Sequence, residues 1–436
     1  MNILFKKILN NRNLKKYSYN LLFIIISIIF LKIFYKSTFQ IIGGGWAFNE
    51  LFINYSGGLI RRGLIGELFL TINKNFNTNP IIFFSIVFIF LHSTLIILYF
   101  KILKQFKALG IFLFAIILSP ALMLFSIYEN DAYYAKDIFT NISILLHACY
   151  LLQTKNNFDF KKYSKFLLYI IIPIIIFNLF NHENQFFFIS VHFLISFYSC
   201  KNNNIKNLKP IYKHYLILLI PVLIIIFTQG SWEKLAVINE SVEKFGATIN
   251  NQLAGNLNLA IGGFIKWHFF YHGIDNFFNF FICSILSIGI FYLFFGYLIN
   301  QRILILKNNI KINYLYFFVP SLALFILALD YGRNINLILT HLLAFFSILD
   351  IDKKKLTKFT DGIKKKFFLS KFLIIFLIFY SFMWYLPQGG GYSGIGDFTG
   401  NSSIIKNTFL GELREIFMIL FNYIDNNFIK LPRIVV

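Results

Sequence analysis

The residues with the clearest chemical potential are Arg61 and Arg62, adjacent in sequence and set among Gly57, Gly58, Gly63 and Gly66. Guanidinium groups hold phosphate or carboxylate oxygens two at a time and stay charged at any relevant pH. Gly57 and Gly58 permit a tight turn, while Gly63 and Gly66 admit the close approach of another backbone or of a ligand. Segment 54–67 therefore has the composition of an anion site. Two plainer roles fit the same residues: anchoring an interfacial helix to lipid headgroups, or neutralising Glu50 and Glu67 in the same stretch.

Acid–base and metal chemistry have fewer candidates. Glu183 follows His182, and on a helix adjacent side chains diverge by about 100°, which disfavours joint metal binding. A carboxylate in a low-dielectric vestibule has its pKa raised toward neutrality, which makes Glu183 a candidate general base. The alternative is a turn cap accepting backbone N–H groups. Asp330 and Arg333 stand three apart and pair with each other by default, with substrate binding by Arg333 as the sharper option. Asp131, Lys136 and Asp137 either gather a divalent cation together with Glu50 or form a solvated loop. His92, His147, His192 and His341 lie singly in apolar runs, where a histidine is ordinarily a hydrogen-bonded packing residue. No nucleotide-binding glycine motif, serine elbow or zinc motif is present in the sequence.

The elements that must position these residues belong to a membrane protein. Of 436 residues, 57% are hydrophobic and only 14% charged, against roughly 25% charged in soluble domains. Cys149, Cys200 and Cys283 have the spacing of neither a disulfide framework nor a metal site. A basic segment, 1–19, precedes an apolar run from Leu21, read as an uncleaved first helix. Further apolar runs fall at 80–100, 108–127, 138–152, 166–180, 185–198, 215–228, 277–299, 314–329, 335–349 and 372–386. The expectation is an all-α polytopic protein with about 11 transmembrane helices over 1–386 and an outer tail at 387–436.

The loops alternate in charge. With the N-terminus assigned to the cytoplasm, 27 of the 41 lysines and arginines fall in 1–19, 101–107, 154–165, 201–213, 300–311 and 350–371. The other face carries 13, and acids there outnumber them, with 15 of the 19. This is the positive-inside pattern. The net charge of +22 thus reports topology and anionic lipid rather than nucleic acid, and it puts the C-terminus outside. Arg61 and Arg62 are exceptions to the general excess, since they lie on the face where acids prevail. That face has a long first loop (36–79), a short second one (129–137), a third (230–276) and the tail. Apolar spacing predicts amphipathic helices in the first, the third and the tail.

Two hairpins are too short for their task. Segment 166–200 must cross twice in about the length that one and a half to two spans of roughly 20 residues require, and 314–349 is as tight. The turns at 181–185 and 330–333 are therefore expected below the outer surface, where ionisable groups line a wet cavity between helices.

Taken together, Gly57-Gly58 with Arg61-Arg62-Gly63, then His182-Glu183, then Asp330, Gly332 and Arg333 resemble polytopic proteins of bacterial envelope-polysaccharide loci. These look like relatives of O-antigen polymerases and of the GT-C superfamily of lipid-linked sugar transferases. The resemblance covers most of the chain as a hydropathy and loop pattern. It implies a bacterial inner-membrane enzyme that uses polyprenyl-(di)phosphate-linked sugars at the outer face. By that likeness Arg61, Arg62 and Arg333 hold the phosphate, Glu50 or Glu183 deprotonates the acceptor, and His182, Asp330, Asp131, Lys136 and Asp137 support them. Glu67 is a second possibility for the loop carboxylate. The chain departs from the GT-C pattern in lacking an acidic pair in the first outer loop and a large soluble C-terminal domain. A flippase for the same glycans and a non-catalytic assembly protein are the alternatives; the absence of internal repeats counts against the first.

Overall fold

A computed structural model describes residues 31, 46–109, 119, 121–123, 125, 133–228, 231–247, 249, 284–306, 314–324 and 331–365. The apolar runs beginning at Leu21 and at 372, most of 108–127, and the tail 387–436 lie outside the described residues, as do Asp131 and Asp330.

The described chain is mostly helical. α1 (Trp46–Glu50) is followed by α2 (Leu64–Phe76). The long α3 (Pro80–Leu103) starts where Asn79 accepts the backbone N–H groups of Ile81 and Ile82, with Pro80 at the first helical position. Next come α4 (Asp137–Thr154), α5 (Phe160–Phe166) and α6 (Ile172–Asn181). The last two are joined through a π-turn at Leu167–Ile171, which accommodates the missing N–H and the ring of Pro173. After α7 (Asn184–Asn202) follow α8 (Lys209–Leu216), α9 (Leu219–Phe227) and α10 (Trp232–Val242). The described remainder holds α11 (Ile290–Asn300), α12 (Val319–Leu322), α13 (Tyr331–Ile348) and the basic α14 (Lys353–Lys365).

Three helical rods are long and apolar enough to cross a membrane: Pro80–Phe106, Phe160–Asn181 and Lys209–Phe227. Their outward faces carry Ile82, Ile86, Phe90, Leu216, Ile220, Leu223 and Phe227, all exposed. The centre is the reverse. Helices α4 and α13 pack on each other, with α3 and α7 alongside, and bury Asn141, Ser143, His147, Asn334, Asn336, Thr340 and His341. Asn141 donates to Asn336 across the α4–α13 contact at 2.9 Å, and Tyr99 meets Thr340. Polar groups inside and apolar groups outside suit helices surrounded by lipid, where buried amides and hydroxyls bond across helices. These residues lower the hydropathy of α4 and α13, with 18 residues each, as buried Asn184, Gln185, His192 and Ser196 do in the 19-residue α7.

Loops gather at two ends. At one, Lys155 pairs with Asp350 at 3.0 Å and donates to the carbonyls of Ile348 and Leu349. There the short strands β1 (Leu304–Ile305) and β2 (Asp350–Ile351) run antiparallel, and Tyr198 donates to the Ile305 carbonyl. At the other end, α2 packs on α6, and α10 lies against the segment that precedes α2. Asn54 donates to Ser241 at 2.9 Å, and Phe245 packs on Phe52 and Phe69. Both α2 and α10 are amphipathic: α2 buries Ile65 and Phe69 and exposes Leu68 and Phe76, while α10 buries Leu235, Ile238 and Val242 and exposes Trp232.

Candidate functional site

The first loop reaches the site through close backbone contacts. A Cβ on Gly66 would lie 2.1 Å from the Ile53 carbonyl, and one on Gly63 would strike the Tyr55 ring at 2.4 Å. Gly63 and Gly66 thus meet the loop's own ring and backbone, while a Cβ on Gly57 would lie 2.5 Å from the Lys234 carbonyl of α10. The Tyr55 N–H donates to Glu67 at 3.0 Å, which occupies that carboxylate locally. Helix α2 is docked by its own N-terminus, where the Ile65 N–H donates to Asn181 Oδ1 at 2.9 Å.

Between Gly58 and Gly63 the chain makes an uncommon choice. Arg62 has φ +68°, a left-handed conformation that disfavours a side chain by about 1–2 kcal/mol. Its carbonyl accepts Lys136 Nζ at 2.8 Å. Its guanidinium donates to Glu50 Oε1 at 3.0 Å, and through Nε (2.7 Å) and a second N–H to both oxygens of Glu183. Arg61 lies 3.5 Å from Glu183 Oε1, and its Nε has no hydrogen-bond partner among the described residues. Glu50 is fully buried, and its Oε2 likewise has none among the described residues.

A second pair adjoins the first. Arg333, at the start of α13, donates through Nε to Asp137 Oδ2 at the start of α4. It also meets His182 Nε2 at 3.1 Å, and Asn184 donates to the other Asp137 oxygen at 3.1 Å. The Asn184 N–H approaches His182 Nδ1 at 3.2 Å. Both imidazole nitrogens therefore face donors. Among the described residues, four cations (Arg61, Arg62, Lys136, Arg333) meet three carboxylates (Glu50, Asp137, Glu183) at one end of the bundle.

Several expectations change here. Lys136 and Asp137 are not a solvated loop, being 1% and 6% exposed. Their burial follows from the pairing, since a buried charge needs an opposite charge or hydrogen bonds. Glu183 makes no side-chain cap at the α7 start; its oxygens are committed to arginine. Arg61 is buried rather than spread on a headgroup surface. The described carboxylate partner of Arg333 is Asp137, from a different helix. Among the described residues no group of three His, Cys, Asp or Glu is placed to hold a metal ion. The roles of Asn181 and Asn184 were invisible in sequence, where an asparagine-rich composition hides any single asparagine.

The electrostatics run opposite to a raised carboxylate pKa. Burial alone would raise Glu183 and Glu50, but Arg62 beside both, with Arg61 or Lys136, outweighs it and holds each below the ordinary carboxylate value. Asp137 is lowered in the same way by Arg333. His182 is pushed down to about 4 by burial and by Arg62, so it is neutral at pH 7. Burial also pushes Lys136 down to about 8 from 10.5, with Glu50 opposing. Between those two values the unfolded chain carries more protons than the folded one, so stability rises with pH across that window. Thermal unfolding in detergent from pH 8 to 10.5 should show wild type gaining on Lys136→Met, and a constant difference between the two would refute the assignment.

No family model matches the chain, and neither a curated protein nor a solved structure does.

Proposed function

We propose that this end of the protein binds the phosphate of a polyprenyl-(di)phosphate-linked sugar and transfers that sugar, or a glycan built from it, to an acceptor hydroxyl. The proposal includes the finer topology read from the charge pattern: eleven spans, N-terminus in the cytoplasm, and the cluster facing the outside of a bacterial inner membrane. The observation that carries it is Arg61, a buried guanidinium with one ion pair at 3.5 Å and an unpartnered Nε, set beside an arginine whose charges are already engaged. Burying a cation in that state is costly, and an anionic ligand removes the cost. Arg61 is the phosphate-binding group on this reading, while Arg62 and Arg333 hold the carboxylates that shape the site.

Of the two carboxylates expected to serve as base, Glu50 is the better placed. Arg62 engages both oxygens of Glu183, which neutralises that carboxylate in place. Glu50 keeps Oε2 unpartnered and is the acceptor-activating base. Its lowered pKa makes it a weak base, so the larger share of catalysis falls to charge stabilisation as the glycosidic bond breaks.

The test uses the full chain in liposomes with a labelled polyprenyl-diphosphate-linked glycan. Hydrogen bonds to a charged group contribute about 1.5–3 kcal/mol, so Arg61→Ala should weaken binding roughly 10- to 100-fold with the fold retained. Glu50→Gln should bind normally and form the glycosidic bond about 100-fold more slowly or worse. Unchanged binding by Arg61→Ala defeats the anion site; binding and translocation without any bond formation by wild type would assign the site to a flippase instead.

A further inference from the structure

The histidines that look solitary in sequence are not solitary in the fold. His147 on α4 and His192 on α7 lie with their rings nearly parallel and their Nδ1 atoms 3.2 Å apart. The outer nitrogen of each ring faces a hydroxyl: His192 Nε2 lies 3.2 Å from Ser143, and His147 Nε2 lies 3.0 Å from Tyr163 on α5. Tyr163 donates to Ser196 at 2.7 Å, and Ser196 meets the Tyr215 hydroxyl on α8 at 2.9 Å. Five of these six side chains are no more than 1% exposed, and Tyr215 is 9% exposed. His341 on α13 stands beside His192 with ring centres 6.2 Å apart.

We propose that Ser143, His192, His147, Tyr163, Ser196 and Tyr215 form a proton-conducting chain through the interior of the bundle. Helix α4 rises about 1.5 Å per residue, so Ser143 lies roughly 9 Å and His147 roughly 15 Å along the axis from Asp137. Tyr163 and Tyr215 lie farther on, toward the end where Lys155 pairs with Asp350. Every group in the chain is both a donor and an acceptor. In one polarity Ser143 donates to His192, His192 Nδ1–H to His147, His147 Nε2–H to Tyr163, and Tyr163 to Ser196. In the other, Tyr163 turns its hydroxyl to His147 Nε2, His147 Nδ1–H donates to His192, and His192 Nε2–H donates to Ser143. Passage of one proton converts the second polarity into the first: Tyr215 takes a proton from water, each group hands its own proton on, and Ser143 releases one to water on the Gln185 side, so that only O–H and N–H bonds form and break.

A packing role alone is a poor explanation for the arrangement. A buried polar network is favourable only when satisfied, and an apolar core of the same shape does as well or better. A lone histidine in an apolar helix is ordinarily a packing residue, but ionisable side chains that face one another inside a membrane bundle form proton relays and ion pathways. Above Ser143 the contacts continue to Gln185 Oε1, which also accepts from Asn178. Gln185 Nε2 and Asn178 Oδ1 are buried without partners, which keeps the region between the chain and the charged cluster polar. The inference stands apart from the anion-binding reading and needs no phosphate ligand.

Full-length protein is reconstituted in liposomes holding a pH-sensitive dye, and a potassium diffusion potential is imposed with valinomycin. Wild type should acidify the vesicles faster than protein-free liposomes do. His147→Gln keeps hydrogen-bonding groups but cannot pass a proton through a ring, and Tyr163→Phe removes one hydroxyl with little change of shape. Both should fall to the protein-free rate while remaining monodisperse on size exclusion, and the second serves if the first does not fold. Flux by wild type no faster than through protein-free liposomes overturns the proposal, as does His147→Gln or Tyr163→Phe conducting like wild type. Either result would make the chain a packing network and leave the anion site untouched, since ligand binding is measured separately.

Discussion

Arg62→Ala is expected to lose most of the folded protein, and to lose it for structural reasons. The side chain is the partner of Glu50, which is fully buried, and of Glu183. Removing one member of a buried pair while leaving the other costs about 3–5 kcal/mol, a large part of the roughly 5–15 kcal/mol that holds a typical protein folded. Alanine also keeps the strain of φ +68°, whereas glycine relieves it. Arg62→Gly should therefore melt above Arg62→Ala by about 1 kcal/mol, although both lose the same ion pairs. Adding Glu50→Gln and Glu183→Gln should recover part of the loss by removing the orphaned charges. Melting temperatures and monodisperse yields in detergent give the answer. Arg62→Ala melting with wild type would show that neither carboxylate depends on it. The contrast with Arg61 matters, because adjacent arginines that look equivalent in sequence separate into a group that builds the site and a group left over to bind.

The difference explains what the sequence could and could not reveal. Arg61, Arg62, Glu50, Glu183, His182 and Arg333 were all selectable in advance, because charge is expensive inside an apolar chain and each charged residue needs a reason. The amphipathic helices α2 and α10 and the turn between α6 and α7 follow from apolar spacing and span length. Pairing was out of reach. Asp137 and Arg333 are 196 positions apart and Arg62 and Glu183 are 121 apart, and nothing local to either partner names the other. Loop composition misled at Lys136 and Asp137, which sit in a short charged stretch resembling solvated surface. The histidines misled for the opposite reason: each is isolated along its own helix, and only the packing of α4 on α7 brings His147 to His192. Periodicity identifies which face of a helix is polar but not which other polar face it meets.

The second large effect is expected at Asp137. Asp137→Ala takes from Arg333, 1% exposed, the Asp137 carboxylate at the contact between the starts of α4 and α13. Because those two helices form the centre of the bundle, the loss of about 3–5 kcal/mol should appear as cooperative unfolding rather than local fraying. Arg333→Met alone should be nearly as damaging, since it strands Asp137 with only Asn184 beside it among the contacts above. The double replacement Asp137→Ala with Arg333→Met removes both charges at once, and should cost less than the two single losses added together, by a coupling energy of about 0.5–3 kcal/mol. Additive losses in that cycle would mean that the two residues stabilise the protein independently. The double variant also separates architecture from function. If the pair serves only to join α4 to α13, the double variant should fold and still bind a polyprenyl diphosphate through Arg61. If Arg333 itself contributes to the anion site, the double variant should fold and bind weakly, because the cation that completes the field around Arg61 is gone.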